Sequence, residues 1–163
     1  MKKAKAVGIQ YAALPYRVVR RRVEVMLITS RGTRRWVIPK GWPMAGLKPQ
    51  EAAAVEAMEE AGVSGQVEDR PIGSYRYMKV LKEDQAIAVQ VILFPLLVTG
   101  QEETWKEQGQ REPRWFRYQR AATLVAEPSL RRLIREFGRL RTPGVFASAH
   151  RLRLVGLELL HLR

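Results

Sequence analysis

The stretch from Trp36 to Gly65, WVIPKGWPMAGLKPQEAAAVEAMEEAGVSG, constrains this chain more than any other, because strand, loop, helix and stop follow one another with little freedom between them. Trp36-Val37-Ile38 is a short β-favouring run that Pro39 ends. Gly41, Pro43 and Gly46 leave no room for regular structure, so the chain must loop. Pro49 suits the first helical position, where its missing N–H is not needed, and Glu51 follows near the positive end of the helix dipole. Ala52, Ala53, Ala54, Ala57, Met58 and Ala61 favour helix, and Gly62 falls where a left-handed C-cap residue is wanted.

Glu56, Glu59 and Glu60 stand at i, i+3 and i+4 on that helix, so their side chains share one face. Like charges at this spacing destabilise a bare helix by a few tenths of a kcal/mol each. A hard divalent cation offsets such repulsion, since magnesium takes oxygen ligands and keeps several waters. A solvated acidic helix face is the alternative, because glutamate is a good helix former and is usually exposed.

The spacing of Gly41, Glu56, Glu59, Glu60, Gly62 and Val63 resembles the Nudix box, the signature of the Nudix (MutT-like) hydrolase superfamily. Two positions depart from the box: Leu47 stands where the family has a glutamate and Val55 where it has an arginine. In the family that arginine is thought to hold the adjacent metal-ligand glutamate. Loss of both partners to apolar residues leaves no orphan charge, and such an exchange is often neutral for stability. Leu47 is therefore expected to pack against or near Val55, with looser orientation of Glu56 as the functional cost.

The 163 residues suit one domain with an ordinary core. The absence of cysteine excludes disulfides, thiolate metal sites and a cysteine nucleophile, and fits a reducing cytoplasm. Lys5, Gly8, Gln10 and Tyr11 break the only segment that begins like a signal peptide. No apolar run approaches the ~20 residues of a membrane span, so no membrane partner is expected. The net charge of +13 implies polyanionic company, whether nucleic acid, a membrane surface or a phosphorylated small molecule. Nucleic acid is the less favoured of these, since no groove-reading or base-stacking motif accompanies the charge.

Taken in order, Ala4 to Leu14 reads as a strand that Pro15 closes or bends. Arg20-Arg21-Arg22 forms a charged turn into a second strand, Val23 to Ser30, giving a hairpin. After the acidic helix come a possible edge strand at Gln66-Val67, a half-buried strand at 73–80, and the apolar run Ala86 to Val98. Pro95 in that run calls for an edge, bulge or end. A polar loop, 99–111, leads to a short strand at Trp115-Phe116 and a helix at 118–125. A last helix starts at Pro128, carries an apolar stripe of Leu130, Leu133, Ile134 and Phe137, and stops at Gly138. This order indicates an α/β sandwich. The Nudix resemblance implies the same, an α/β/α sandwich with a mixed sheet over residues 1–140. Residues 141–163 are a C-terminal extension, a candidate for covering a sheet edge or for a homodimer contact.

The segments Leu14-Pro15-Tyr16-Arg17, 35–43, Glu103-Thr104-Trp105 and Arg114-Trp115-Phe116 look like the bacterial branch related to diphosphoinositol polyphosphate phosphohydrolases. That resemblance implies Mg²⁺- or Mn²⁺-dependent hydrolysis of a phosphoanhydride in an inositol- or nucleoside-polyphosphate type of substrate. The implied metal ligands are Glu56, Glu59, Glu60 and the Gly41 carbonyl. Glu59, Glu60 and the loop residue Glu103 are the implied catalytic carboxylates, Glu103 being the candidate base and Glu102 and Glu107 weaker ones. A highly anionic substrate also needs positive side chains, and Arg17, Arg31, Arg35, Lys40 and Arg76 are the expected phosphate contacts. His150 and His161 are the only histidines and lie far from the box. A Nudix-fold module that binds phosphorylated ligands without turnover is the alternative that Leu47 and Val55 leave open.

Overall fold

The computed structural model describes residues 7–82 and 84–144. Eleven elements follow in chain order: β1 (Val7–Val19), β2 (Arg22–Thr29), β3 (Trp36–Val37), β4 (Lys40–Gly41), α1 (Pro49–Ala61), β5 (Val63–Val67), β6 (Gly73–Lys82), β7 (Gln85–Gln101), β8 (Pro113–Arg117), α2 (Tyr118–Leu124) and α3 (Pro128–Arg141). Among these, no helix is long and apolar enough to cross a membrane. The expected tail, including His150 and His161, lies mostly outside the described residues.

The eight strands form one mixed sheet built on the parallel pair β1 and β7, with antiparallel neighbours on both sides. Side chains alternate across it. Ala12, Leu14, Val25, Leu27, Val91 and Leu93 pack towards α2 and α3, where Ala121, Leu130, Ile134 and Phe137 complete a core. Ala13, Met26, Ile28, Phe94 and Leu96 pack the other way, against Ala53, Ala57 and Ala61 of α1. Both faces of the central strands are thus buried, which is why β7 reads as an unbroken apolar run. The result is the expected α/β/α sandwich.

Two prolines that the sequence treats as breakers lie inside strands, side by side across the central pair: Leu14 opposes Pro95 and Pro15 opposes Leu96. Pro95 accepts the Glu68 N–H at 2.9 Å, so its missing N–H faces the same side, where the partner changes from β6, ending at Leu93, to β5, starting at Leu96. Pro15 sits where the partner of β1 changes from β4 at Tyr11 and Ala12 to β2 at Tyr16. No ladder bond is lost at either gap, so both strands run through.

Gly138 likewise does not end its helix, which continues to Arg141. Its role is close packing: a Cβ there would overlap the Tyr118 ring that joins β8 to α2. Gly62, in contrast, is the left-handed C-cap expected of it, at φ 69°, with its N–H bonded to the Met58 carbonyl at 3.0 Å.

Candidate active site

The short side chains of Ala53, Ala57 and Ala61 let α1 lie close on the sheet, which turns its glutamates towards a cleft beside β1, β4 and β6. This cleft has a volume of about 530 Å³. Glu56, Glu59 and Glu60 line it, together with Lys40 and Gly41 of β4 and Arg31 from the turn after β2.

Glu60 is the deepest of the three acids, 6% exposed. One of its oxygens accepts the Lys40 backbone N–H at 3.4 Å, and the other stands 3.6 Å from Arg111 Nη2. Burial outweighs these contacts and raises the carboxyl to about 8. Burial also raises Glu56, with the neighbouring Glu59 charge adding to the effect and a hydrogen bond to Glu60 opposing it. Lys40 is lowered by its own burial, against the pull of Glu60, and its ammonium lies 5.1 Å from the Tyr77 ring. The Glu56 carboxylate rests directly against the Cα of Gly41, in space that any Cβ would take. A side chain at position 41 would therefore have to displace an acid rather than strain the backbone.

The loop between β7 and β8 supplies the opposite wall. Its anchoring is at the C-terminal end of α1: Glu102 N–H donates to the Gly62 carbonyl at 2.8 Å and Glu107 N–H to the Glu59 carbonyl at 2.9 Å. Trp105 lies over Gly62, so close that a Cβ there would enter its ring. The loop thereby satisfies carbonyls that a helix end leaves open and delivers Lys106, Glu107 and Arg111 into the cleft. Arg111 bridges Glu60 and Glu107, the latter at 3.3 Å, and Arg31 stands 3.4 Å from Glu107. Lys106 faces Glu59 at 3.4 Å.

Of the sequence candidates, Arg31, Lys40, Gly41, Glu56, Glu59 and Glu60 come together here. The remainder do not line this cleft. Arg17 is held by Glu24 at 2.8 Å and stacks over Trp115 at 4.2 Å. Arg35 folds back on Thr33, and it shares a smaller hollow with Lys40 and Tyr75. Arg76 and Glu103 are exposed, the latter with its carbonyl accepting from Gln108. Glu107, a weaker candidate from the same loop, occupies the cleft. Arg111, Lys106, Gln10 and Tyr77 line the cleft as well, with no motif in the sequence that marks them. The Tyr77 hydroxyl donates to Gln10 Oε1 at 2.7 Å, joining β6 to β1 across β7. Leu47 is exposed and Val55 half-buried, and α1 carries no basic residue to hold Glu56.

Among the described residues, no three acidic side chains group tightly enough to enclose a metal ion alone. Glu59 stands apart, against Lys106, whereas Glu56 and Glu60 are paired. An all-oxygen pair of carboxylates, with water and substrate oxygens completing the set, matches how magnesium is bound in phosphate-handling sites. The donor set and the Gly41 cradle therefore fit a hard divalent cation.

The family model for the NUDIX domain matches residues 12–137, which include every residue of α1 and nearly all of the cleft. The chain belongs to the Nudix family. Its similar relatives include Nudix hydrolase 12, mitochondrial, of Arabidopsis thaliana, 33% identical over 122 residues that cover 73% of this chain and 60% of the relative. Diphosphoinositol polyphosphate phosphohydrolase 3-alpha of Mus musculus is 30% identical over 105 residues, covering 63% of this chain and 60% of that protein. The chain thus spans three-fifths of the length of either relative. Among solved Nudix-fold structures, the Ap4A hydrolase of C. elegans superimposes with a TM-score of 0.59 over 83% of this chain and 98% of that one, at 18% identity. Nudix hydrolases as a family use divalent metal ions.

Proposed function

We propose that this Nudix chain is a metal-dependent hydrolase that cleaves a phosphoanhydride bond in a nucleoside- or inositol-polyphosphate type of substrate. The observation that carries this reading is the carboxyl pair of half-buried Glu56 and buried Glu60, set against Gly41 in a cleft whose rim is cationic.

Glu56 and Glu60, with the Gly41 carbonyl beside them, are the residues assigned to hold Mg²⁺ or Mn²⁺. When bound, such an ion neutralises phosphate oxygens and acidifies the attacking water. Lys40, Arg31 and Arg111 meet the phosphates, the arginines by paired N–H donors and the lysine as a point charge. The two arginines are at present partnered by the chain's own carboxylates, so there substrate phosphates exchange one anionic partner for another, whereas the Lys40 ammonium lies over the Tyr77 ring. Glu59 is the carboxylate assigned to take the proton from water. It lines the cleft one helical turn from Glu56, and its only ion-pair partner among the described residues is the exposed Lys106. Glu107 is held between Arg31 and Arg111, which makes it a positioning group for those cations.

Leu47 and Val55 favour one other reading, binding of the same compounds without turnover, because nothing on α1 clamps Glu56. The two readings separate in one experiment: release of phosphate or nucleotide from a panel of pyrophosphate compounds, with and without Mg²⁺ or Mn²⁺. Metal-dependent turnover supports the hydrolase. Binding of the panel with no turnover supports the module.

A further inference from the structure

The hairpin between β1 and β2 turns at Arg20 and Arg21, both with left-handed backbone, φ 51° and 64°. Two-residue turns with positive φ at both positions ordinarily use Asn-Gly, because a side chain with a Cβ is strained there. Two arginines in succession retain that strain, and retained strain points to a use for the side chains.

Those side chains have company. Arg21, Arg22, Arg117 and Arg120 line a cavity of about 400 Å³ whose walls contain no carboxylate among the described residues. A second hollow of about 260 Å³ shares Arg22 and Arg117 with it and adds Arg20. The one acid of that hollow, Glu24, is held by Arg17. All five arginines of the tip are exposed, and none makes an ion pair among the described residues. Such a set of guanidiniums repels itself unless an anion sits among them. The tip is also remote from the cleft: Val19 lies nine residues along β1 from Gln10, about 30 Å at the rise of a strand.

We propose that this hairpin tip is a second anion site, distinct from the α1 cleft, which takes a compact ligand bearing several adjacent phosphate groups. Guanidinium forks match phosphate oxygens in pairs, and four of them around one concavity match a cluster of phosphates better than a single charge. An extended single strand of nucleic acid is the weaker match. Among the described residues a single aromatic ring lines the wall, Tyr118, half-buried and packed on one side against Gly138, where a strand needs a series of rings for successive bases.

The test uses the full 163-residue chain, inorganic tripolyphosphate as the probe, and calorimetry with divalent metal chelated. Wild type and the cleft variant Arg31→Gln/Lys106→Gln should bind the probe at the tip alike. Arg22→Gln/Arg117→Gln should bind at least about tenfold more weakly, as loss of charge-assisted hydrogen bonds implies, with its melting temperature and hydrolytic rate retained. Arg20→Asn/Arg21→Gly relieves the turn. It should melt a few degrees higher while binding the probe more weakly, an opposition that a purely structural role would not produce. Unchanged affinity in both tip variants overturns the proposal, as does binding lost only in the cleft variant. Equal affinity at the tip for a single-stranded oligonucleotide lacking a terminal triphosphate also overturns it, by making the surface a backbone-binding one.

Discussion

In the cleft, Arg31, Lys106 and Arg111 each stand within 4 Å of a glutamate, whereas at the hairpin tip five arginines have no carboxylate partner among the described residues. Both regions draw on the same excess of +13, so net charge alone does not distinguish them. The difference lies in where the acids fall. The cleft mixes Glu56, Glu59, Glu60 and Glu107 with its cations, an arrangement suited to a metal ion and phosphates arriving together. The tip, with cations only, is suited to an anion that arrives without a metal. Concentrating both signs in one buried place produces perturbed carboxyls, and concentrating one sign at the surface produces a binding field.

Glu60→Gln should break the cleft most severely. An outer partner of a metal ligand is worth roughly 10–100-fold, so loss of a ligand should lower turnover by more than about 100-fold, read as initial rate with Mg²⁺. Gly41→Ala comes next. The new methyl displaces the Glu56 carboxylate, a flexible end that can yield, so the fold should survive while turnover falls roughly 10–100-fold. A melting curve beside the rate assay separates the two effects. Leu47→Glu together with Val55→Arg should raise turnover by roughly tenfold, and neither change alone should, because the clamp on Glu56 needs both. No gain from the pair would show that this cleft orients Glu56 by other means.

The same carboxyl gives a stability prediction for the metal-free chain. Glu60 is raised from 4.5 to about 8 on folding, so the proton is bound more tightly in the native state. Its contribution is fully present below pH 4.5 and is lost as pH rises towards 8, on the order of a few kcal/mol. Denaturant midpoints taken with chelator should decline across that window, and Glu60→Gln should flatten the decline. The smallest effect on hydrolysis belongs to Arg22→Gln/Arg117→Gln, whose turnover should stay within about twofold of wild type. A larger fall would mean that tip and cleft are coupled, contrary to their separation along β1.

The acidic helix was legible in the sequence because everything that defines it is local. Pro49 starts it, Gly62 caps it, and the glutamate spacing fixes one face. The partners of those glutamates were not legible, because they reach the cleft through sheet register. Tyr77 meets Gln10 only because β6 pairs with β7 and β7 with β1. Arg111 enters only because its loop is pinned to the end of α1 at Gly62 and Glu59. A signal did exist in the chain: Glu107 and Arg111 are four residues apart in a loop that also holds Trp105, and a tryptophan is an ordinary anchor of an ordered loop. Pro15, Pro95 and Gly138 misled for a related reason. A residue that breaks an isolated element is tolerated where a neighbouring strand ends or a ring needs its space, and those neighbours are tertiary.

Hydrolysis belongs, on the proposed reading, to the α1 carboxyl pair and not to the arginine tip. The most direct measurement is turnover of the best substrate in the pyrophosphate panel, with Mg²⁺, by wild type, Glu60→Gln and Arg22→Gln/Arg117→Gln side by side. Hydrolysis should need the metal, vanish in Glu60→Gln and persist in the tip variant. Hydrolysis that survives Glu60→Gln, or that is lost with the tip arginines, would contradict that reading.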